Sequence, residues 1–209
     1  MSLQIQQKNK GFTLIEMLVA LSLFTIVMTI VVGSLLVLID GNRQLQGEQS
    51  VMTNLSFAMD SMTREIRTGK NYYCASSFGS QLAPDANQDC VAGNNGISFI
   101  EAGGSITGAT DGRIAYYFDS GNKTLMRKVG NAIAQSIVSN GISIDEAKFF
   151  VTGSDNFNQT SDVNQPAVTI IIKASETGIV GEKPYILQTT ITQRELDLWK
   201  NFIYNRVLV

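Results

Sequence analysis

The stretch Lys10-Gly11-Phe12-Thr13-Leu14-Ile15-Glu16-Met17-Leu18-Val19-Ala20-Leu21 sets the plan of the whole chain. Before it lies a short polar segment, residues 1–9, in which Lys8 is the only charged side chain. After Gly11 the sequence turns apolar and stays so to Ile39, with Glu16 the one charge in the run. Residues 17–39 are 23 positions without a charged side chain. At ~1.5 Å of rise per residue they form about 35 Å of helix, enough to cross the hydrocarbon core of a bilayer. Lys8 and Lys10 precede this span and Asp40 follows it, so the excess of positive charge predicts an N-terminus in the cytoplasm and the rest of the chain outside.

An ordinary secretory signal peptide does not account for this segment, because its apolar region would run ~7–15 residues and end in a small-residue cleavage site. A plain signal anchor explains the length and the lysines, but not a carboxylate five residues into an apolar run, where a charge costs a few kcal/mol. Residues 10–21 resemble, almost residue for residue, the class III signal of type IV pilins and pseudopilins. The resemblance implies a membrane-embedded prepilin peptidase that cuts after Gly11 and N-methylates Phe12 as the new N-terminus. Glu16 then becomes the fifth residue of the mature chain, and in the family this glutamate is thought to pair with the terminal amine of a neighbouring subunit. An α-amine with a pKa of about 7.7–8.0 is largely charged at neutral pH. Two charges that are each expensive in lipid become tolerable together, which favours docking in one axial register. Gly33 falls at the twenty-second mature position, where many major pilins carry a helix-breaking proline. Glycine weakens a helix by about 1 kcal/mol relative to alanine, so Gly33 is a candidate point of helix weakening; the alternative is a small residue for close helix packing.

Beyond the span, Asp40-Gly41-Asn42-Arg43 is a candidate kink, after which the pattern becomes amphipathic. Leu45, Met52, Leu55, Met59, Met62 and Ile66 recur at helical spacing with charged residues between them. Arg64, Arg67 and Lys70 fall in the last turns and Gly69 is a candidate C-cap, so the helix is expected to end near residue 70. Four segments follow: a basic leader at 1–11, a transmembrane helix at 12–39, its amphipathic extension at 40–70, and an exported β-rich domain at 71–209.

In that domain, residues 71–112 are rich in Gly, Ser, Asn and Asp and show one convincing strand, residues 96–100, which reads as a variable loop region. Cys74 and Cys90 are placed to close it with a disulfide in an oxidising compartment, and a loop of ~15 residues gives such a bridge about 3 kcal/mol; two thiols alone lack the other ligands of a metal site. Residues 113–118 and 123–129 flank the turn Asp119-Ser120-Gly121-Asn122 as a hairpin, and residues 142–144, 147–151, 167–173 and 185–192 read as further strands. The fold class is therefore α+β, a long N-terminal helix packed against a mostly antiparallel sheet. Thr192-Gln193-Arg194-Glu195 followed by Leu198, Trp199, Phe202, Ile203 and Val207 predicts a short C-terminal helix. The pattern Tyr116-Tyr117-Phe118 with Leu125-Met126-Arg127, the stretch at 191–194, and Met59-Asp60-Ser61-Met62-Thr63-Arg64-Glu65-Ile66-Arg67 are together similar to J-type minor pseudopilins of type II secretion and W-type minor pilins.

Composition narrows the chemistry. The chain has no histidine, which removes Ser-His-Asp and Cys-His catalysis and histidine-based zinc sites. A net charge of −2 without a basic run gives no sign of nucleic-acid binding. Asp85-Ala86-Asn87-Gln88-Asp89 starts like an EF-hand loop but has Cys90 where glycine is needed and Gly96 where a glutamate is needed; with the oxygen-rich loop at 154–162 it justifies no calcium site. No cofactor and no catalytic residue is expected. The expected function is that of a minor pilin or pseudopilin, with prepilin peptidase, other subunits and the membrane as partners. It would reside in the inner membrane as a single-pass protein and then in an extracytoplasmic filament. A membrane-anchored binding module or adhesin is the alternative.

Overall fold

The structure, a computed structural model, describes residues 11–76, 87–104, 113–155, 164–177 and 184–194. The chain forms two compact units, Met1–Gly47 and Glu48–Val209. One helix, α1 (Leu14–Thr68), contributes to both. In the first unit it is apolar enough and long enough to cross a membrane, and residues 11–46 are all exposed. A surface of that size with no protein against it calls for lipid or other helices. Residues 40–43, the candidate kink, and Gly33 both lie within α1. A single glycine costs about 1 kcal/mol, which flanking helix formers offset without a break.

In the second unit α1 buries Val51, Leu55, Ala58, Met59, Met62 and Ile66. The expected stripe was out of phase at its start by one residue, about 100° of helix: Leu45 and Met52 are exposed, and Val51 and Ala58 take inward positions. Both sets satisfy a spacing of three or four, so only the packing partner distinguishes them.

The strands are β1 (Lys70–Ala75), β2 (Cys90–Asn94), β3 (Gly96–Ile100), β4 (Arg113–Asp119), β5 (Thr124–Val129), β6 (Gln135–Ser136), β7 (Ile142–Thr152), β8 (Ala167–Glu176) and β9 (Tyr185–Thr192). They pair antiparallel throughout, but in two sheets where one was expected: a five-stranded β1-β3-β4-β5-β6 and a four-stranded β2-β7-β8-β9. The supposed loop region 71–112 therefore supplies two further strands, β1 and β2. The segments 142–144 and 147–151 are one strand, whose register shifts between Ile144 and Glu146. A β-bulge there absorbs the extra residue that interrupts the alternation. Residues 195–209, with Trp199, Phe202 and the expected terminal helix, lie outside the described residues.

Both sheets and the buried face of α1 share one core. Ile97, Phe99, Ile114, Tyr116 and Leu125 of the first sheet and Phe149, Val151, Val168, Ile170 and Ile172 of the second join the helix residues in it. The arrangement is α+β, with a helix packed against antiparallel sheet.

The end of α1 departs from the expected glycine cap. Gly69 does not take a left-handed conformation, which falls instead on Asn71 at φ 55°. Gly69 is needed for space, because a Cβ there would run into the ring of Phe99. The helix carbonyls are satisfied from afar: Tyr72 Oη–H donates to the Ile66 carbonyl at 2.8 Å and lies 3.0 Å from that of Gly69. The Arg194 backbone N–H donates to the Arg67 carbonyl at 2.8 Å.

Candidate functional site

At the N-terminal motif, Gly11, Phe12 and Thr13 precede the helix and Leu14 begins it. Thr13 is the cap. Its Oγ1 accepts the Glu16 N–H at 3.4 Å, and its carbonyl accepts the Met17 N–H at 3.2 Å. Thr13-Leu14-Ile15-Glu16 is thus a threonine followed three residues later by glutamate, the capping-box spacing, a signal of the helix start that the sequence carries. Two consequences follow for chemistry. The Gly11–Phe12 peptide lies outside the helix, with both residues exposed, Phe12 at 78%, and no described atom within 4 Å of where a Gly11 Cβ would sit. Glu16 sits in the first turn, where the unsatisfied N–H groups of the helix favour a negative charge.

A second group of residues lies in the domain, where β4 and β5 present side chains to α1. Their hairpin is set locally: Asp119 Oδ1 accepts the N–H groups of Gly121 at 2.9 Å and Asn122 at 3.3 Å, and the Asn122 side-chain amide donates to Asp119 Oδ2 at 2.7 Å. These hydrogen bonds, the Asn122 side chain first, hold the Asp119 carboxyl below its usual range. The turn brings Tyr116 opposite Arg127 in register. Both meet Glu65 of α1. Arg127 Nη2 donates to Glu65 Oε1 at 2.9 Å and its Nε to Oε2 at 3.0 Å, a two-point guanidinium–carboxylate contact. Tyr116 Oη–H donates to Glu65 Oε2 at 2.7 Å and accepts from Arg127 Nε at 3.2 Å. Burial, then the hydrogen bond and charge of Glu65, push the Tyr116 phenol well above its ordinary value. Burial works against the Arg127 charge, yet the Glu65 carboxylate beside it holds the guanidinium above its ordinary value. The tyrosine-rich strand, the Leu125-Met126-Arg127 pattern and the helix-end motif are each visible in the sequence as separate local patterns. Their meeting over 62 residues of chain carries no local signal.

Cys74 of β1 and Cys90 of β2 are joined by a disulfide with Cα atoms 5.9 Å apart, one cysteine in each sheet. Nearby, Asp89 accepts the N–H groups of Gly153 at 3.0 Å and Ser154 at 2.9 Å, so this carboxylate ties the start of β2 to the end of β7. Asp85, Ala86 and residues 156–162 of the two oxygen-rich loops lie outside the described residues. Among the described residues no group of three or more acidic or cysteine side chains is placed to hold a metal ion.

Gly11, Phe12 and Glu16 thus lie in one unit, and Glu65, Tyr116, Arg127, Cys74 and Cys90 in the other. Comparison with curated proteins and with solved structures gives no match. Residues 6–32 match the family model described as the prokaryotic N-terminal methylation motif. That motif lies over the start of a helix long and apolar enough to cross a membrane, and in this the N-terminus is similar to those of type IV pilin-like proteins.

Proposed function

We propose that the chain is a minor pilin or pseudopilin of the J or W type, inserted in the inner membrane with its N-terminus in the cytoplasm and its domain outside. Hydrolysis of the Gly11–Phe12 amide releases the basic leader, a methyl donor alkylates the new Phe12 amine, and the subunit enters a type IV pilus or type II secretion pseudopilus near its tip. The observation that carries the reading is the methylation motif at residues 6–32, with an exposed Gly11–Phe12 peptide immediately before a capped apolar helix. Glu16 then offers its carboxylate to the terminal amine of a neighbouring subunit, and both charges leave lipid contact as a pair. Gly33 serves as the place where the helix loosens during assembly. The Cys74–Cys90 bridge forms once the domain reaches an oxidising compartment.

Mass spectrometry of the N-terminus from cells with an active prepilin peptidase tests this. The expected product starts at methylated Phe12; an intact leader overturns the reading. Glu16→Ala separates a filament subunit from an anchored adhesin: the variant should still be cleaved and stay in the membrane, but should be lost from sheared filaments. An adhesin would keep its surface display.

A further inference from the structure

We propose that the groove formed by Arg64 and Arg67 of α1 and Arg194 after β9 is a docking site for an acidic peptide segment of another subunit. The proposal rests on the filament-subunit reading above and names the chemistry of one contact it requires. Asp60, Thr63 and Thr68 also line it, and the cavity is about 530 Å³, open to solvent.

Basic side chains at a helix C-terminus commonly serve to bond the last carbonyls and offset the helix dipole. Here that work is done by other groups. Tyr72 Oη bonds the carbonyl of Ile66, and the backbone N–H of Arg194, not its side chain, bonds that of Arg67. Arg64 pairs with Asp60 at 3.1 Å, an exposed contact between neighbours on one helix face. The guanidinium groups of Arg67 and Arg194 have no acceptor among the described residues, although they come from chain segments far apart and are brought to one groove. Among the described residues the groove thus carries three guanidiniums and one carboxylate. Planar guanidiniums bind carboxylates and phosphates through two parallel hydrogen bonds.

The choice between these anions comes from Phe57. It lies on the same face of α1 as Asp60, Arg64 and Arg67, at spacings of three, four and three, and is 76% exposed. An aromatic side chain left in water beside a cationic groove has no use in holding a free phosphate. It suits a peptide that presents an apolar side chain next to its carboxylates, the combination of anchor and charged rim that makes a protein contact.

The test uses the full chain in detergent micelles and a short labelled peptide of glutamates around one leucine, followed by fluorescence anisotropy. The wild-type chain should bind it with an affinity that falls as salt rises. Arg67→Gln and Arg194→Gln should each weaken binding by about fivefold to tenfold, while Lys123→Gln, on the exposed hairpin turn, should leave it unchanged. Both arginine variants keep the backbone cap, so an unchanged melting temperature shows that the domain is intact. Phe57→Ser should weaken the leucine-bearing peptide and not an all-glutamate one. No binding, binding indifferent to the arginines, or tighter binding of inorganic phosphate or a DNA duplex than of the peptide would overturn the proposal. Cleavage and methylation at Gly11–Phe12 are read separately by mass spectrometry and survive its failure.

Discussion

Arg127→Met removes the cation from the group that joins α1 to the β4–β5 hairpin and leaves the Glu65 carboxylate with the Tyr116 hydroxyl alone. The side chains of Arg127 and Glu65 are 32% and 30% exposed, so the pair is neither a surface contact nor a fully buried one. Exposed ion pairs contribute about 0.2–1 kcal/mol, and stripping the partner from a buried charge costs about 3–5 kcal/mol. With two-point geometry, one surviving hydrogen bond and some access of water to Glu65, the loss should be about 2 kcal/mol. For a domain of this size that is roughly 4–8 °C in melting temperature. The assay is thermal loss of near-ultraviolet circular dichroism from the buried tyrosines, on the full chain in detergent. Arg127→Lys keeps the charge but loses the fork, and should recover part of the shift. Glu65→Gln with Arg127→Met closes a double-mutant cycle, whose coupling should be about 1–2 kcal/mol. A loss within about 0.5 kcal/mol, the range of an ordinary surface substitution, would refute the view that this cluster fastens the helix to the sheet.

Gly69→Ala should destabilise the domain by about 1–3 kcal/mol in the same melting assay, because the new methyl group meets Phe99. The Phe99 ring is itself flanked by Tyr72 and Tyr116, each with a centroid separation of 6.2 Å, so it has little room to yield. Were Gly69 merely a flexible link, alanine would stabilise by about 0.4–1 kcal/mol instead, and the sign decides. Cys74→Ser with Cys90→Ser, or reduction of the wild-type chain, should cost about 3 kcal/mol and lower the urea midpoint; an unchanged midpoint would show that the bridge constrains little. Burial raises the phenols of Tyr72 and Tyr116 above their ordinary value of 10.0. A group whose folded pKa is raised stabilises fully below its unfolded pKa and loses that contribution as pH climbs towards the folded one. The domain should therefore weaken progressively above about pH 10, with a shallower slope in Tyr72→Phe; equal slopes in the two proteins would count against it.

What could be read from residues alone follows the range of the interaction that fixes each feature. The apolar span, the capping threonine and the methylation motif all lie within a few residues of one another. The hairpin is as local: Asp119 bonds its own turn, so the chemistry that reverses the chain is written at the reversal. β1 and β2 were illegible for the opposite reason. β1 contains Asn71 in a left-handed conformation and a shifted register against β3. β2, Cys90-Val91-Ala92-Gly93-Asn94, has a glycine at φ 80° beneath the Phe150 ring and no alternation of its own. Only their neighbours make them strands. Division into two sheets was hidden similarly, since alternating residues look alike whichever sheet they join.

The two ends of α1 show the same contrast within one helix. Its start is capped by Thr13, one residue before the first turn, through bonds made within four residues of it. Its finish is held by Tyr72, by Arg194 from beyond β9, and by the fit of Phe99 over Gly69. The beginning of the helix is thus specified by its own sequence, and the end by a folded domain. This separation suits the processing proposed above, in which a membrane peptidase would require only a local pattern, one that is complete before the domain is. Substitutions at Gly11 should accordingly abolish cleavage while leaving the domain's melting temperature where it was, and substitutions at Glu65 or Arg127 should do the reverse. A Gly11 variant that unfolded the domain would show that the two ends are coupled after all.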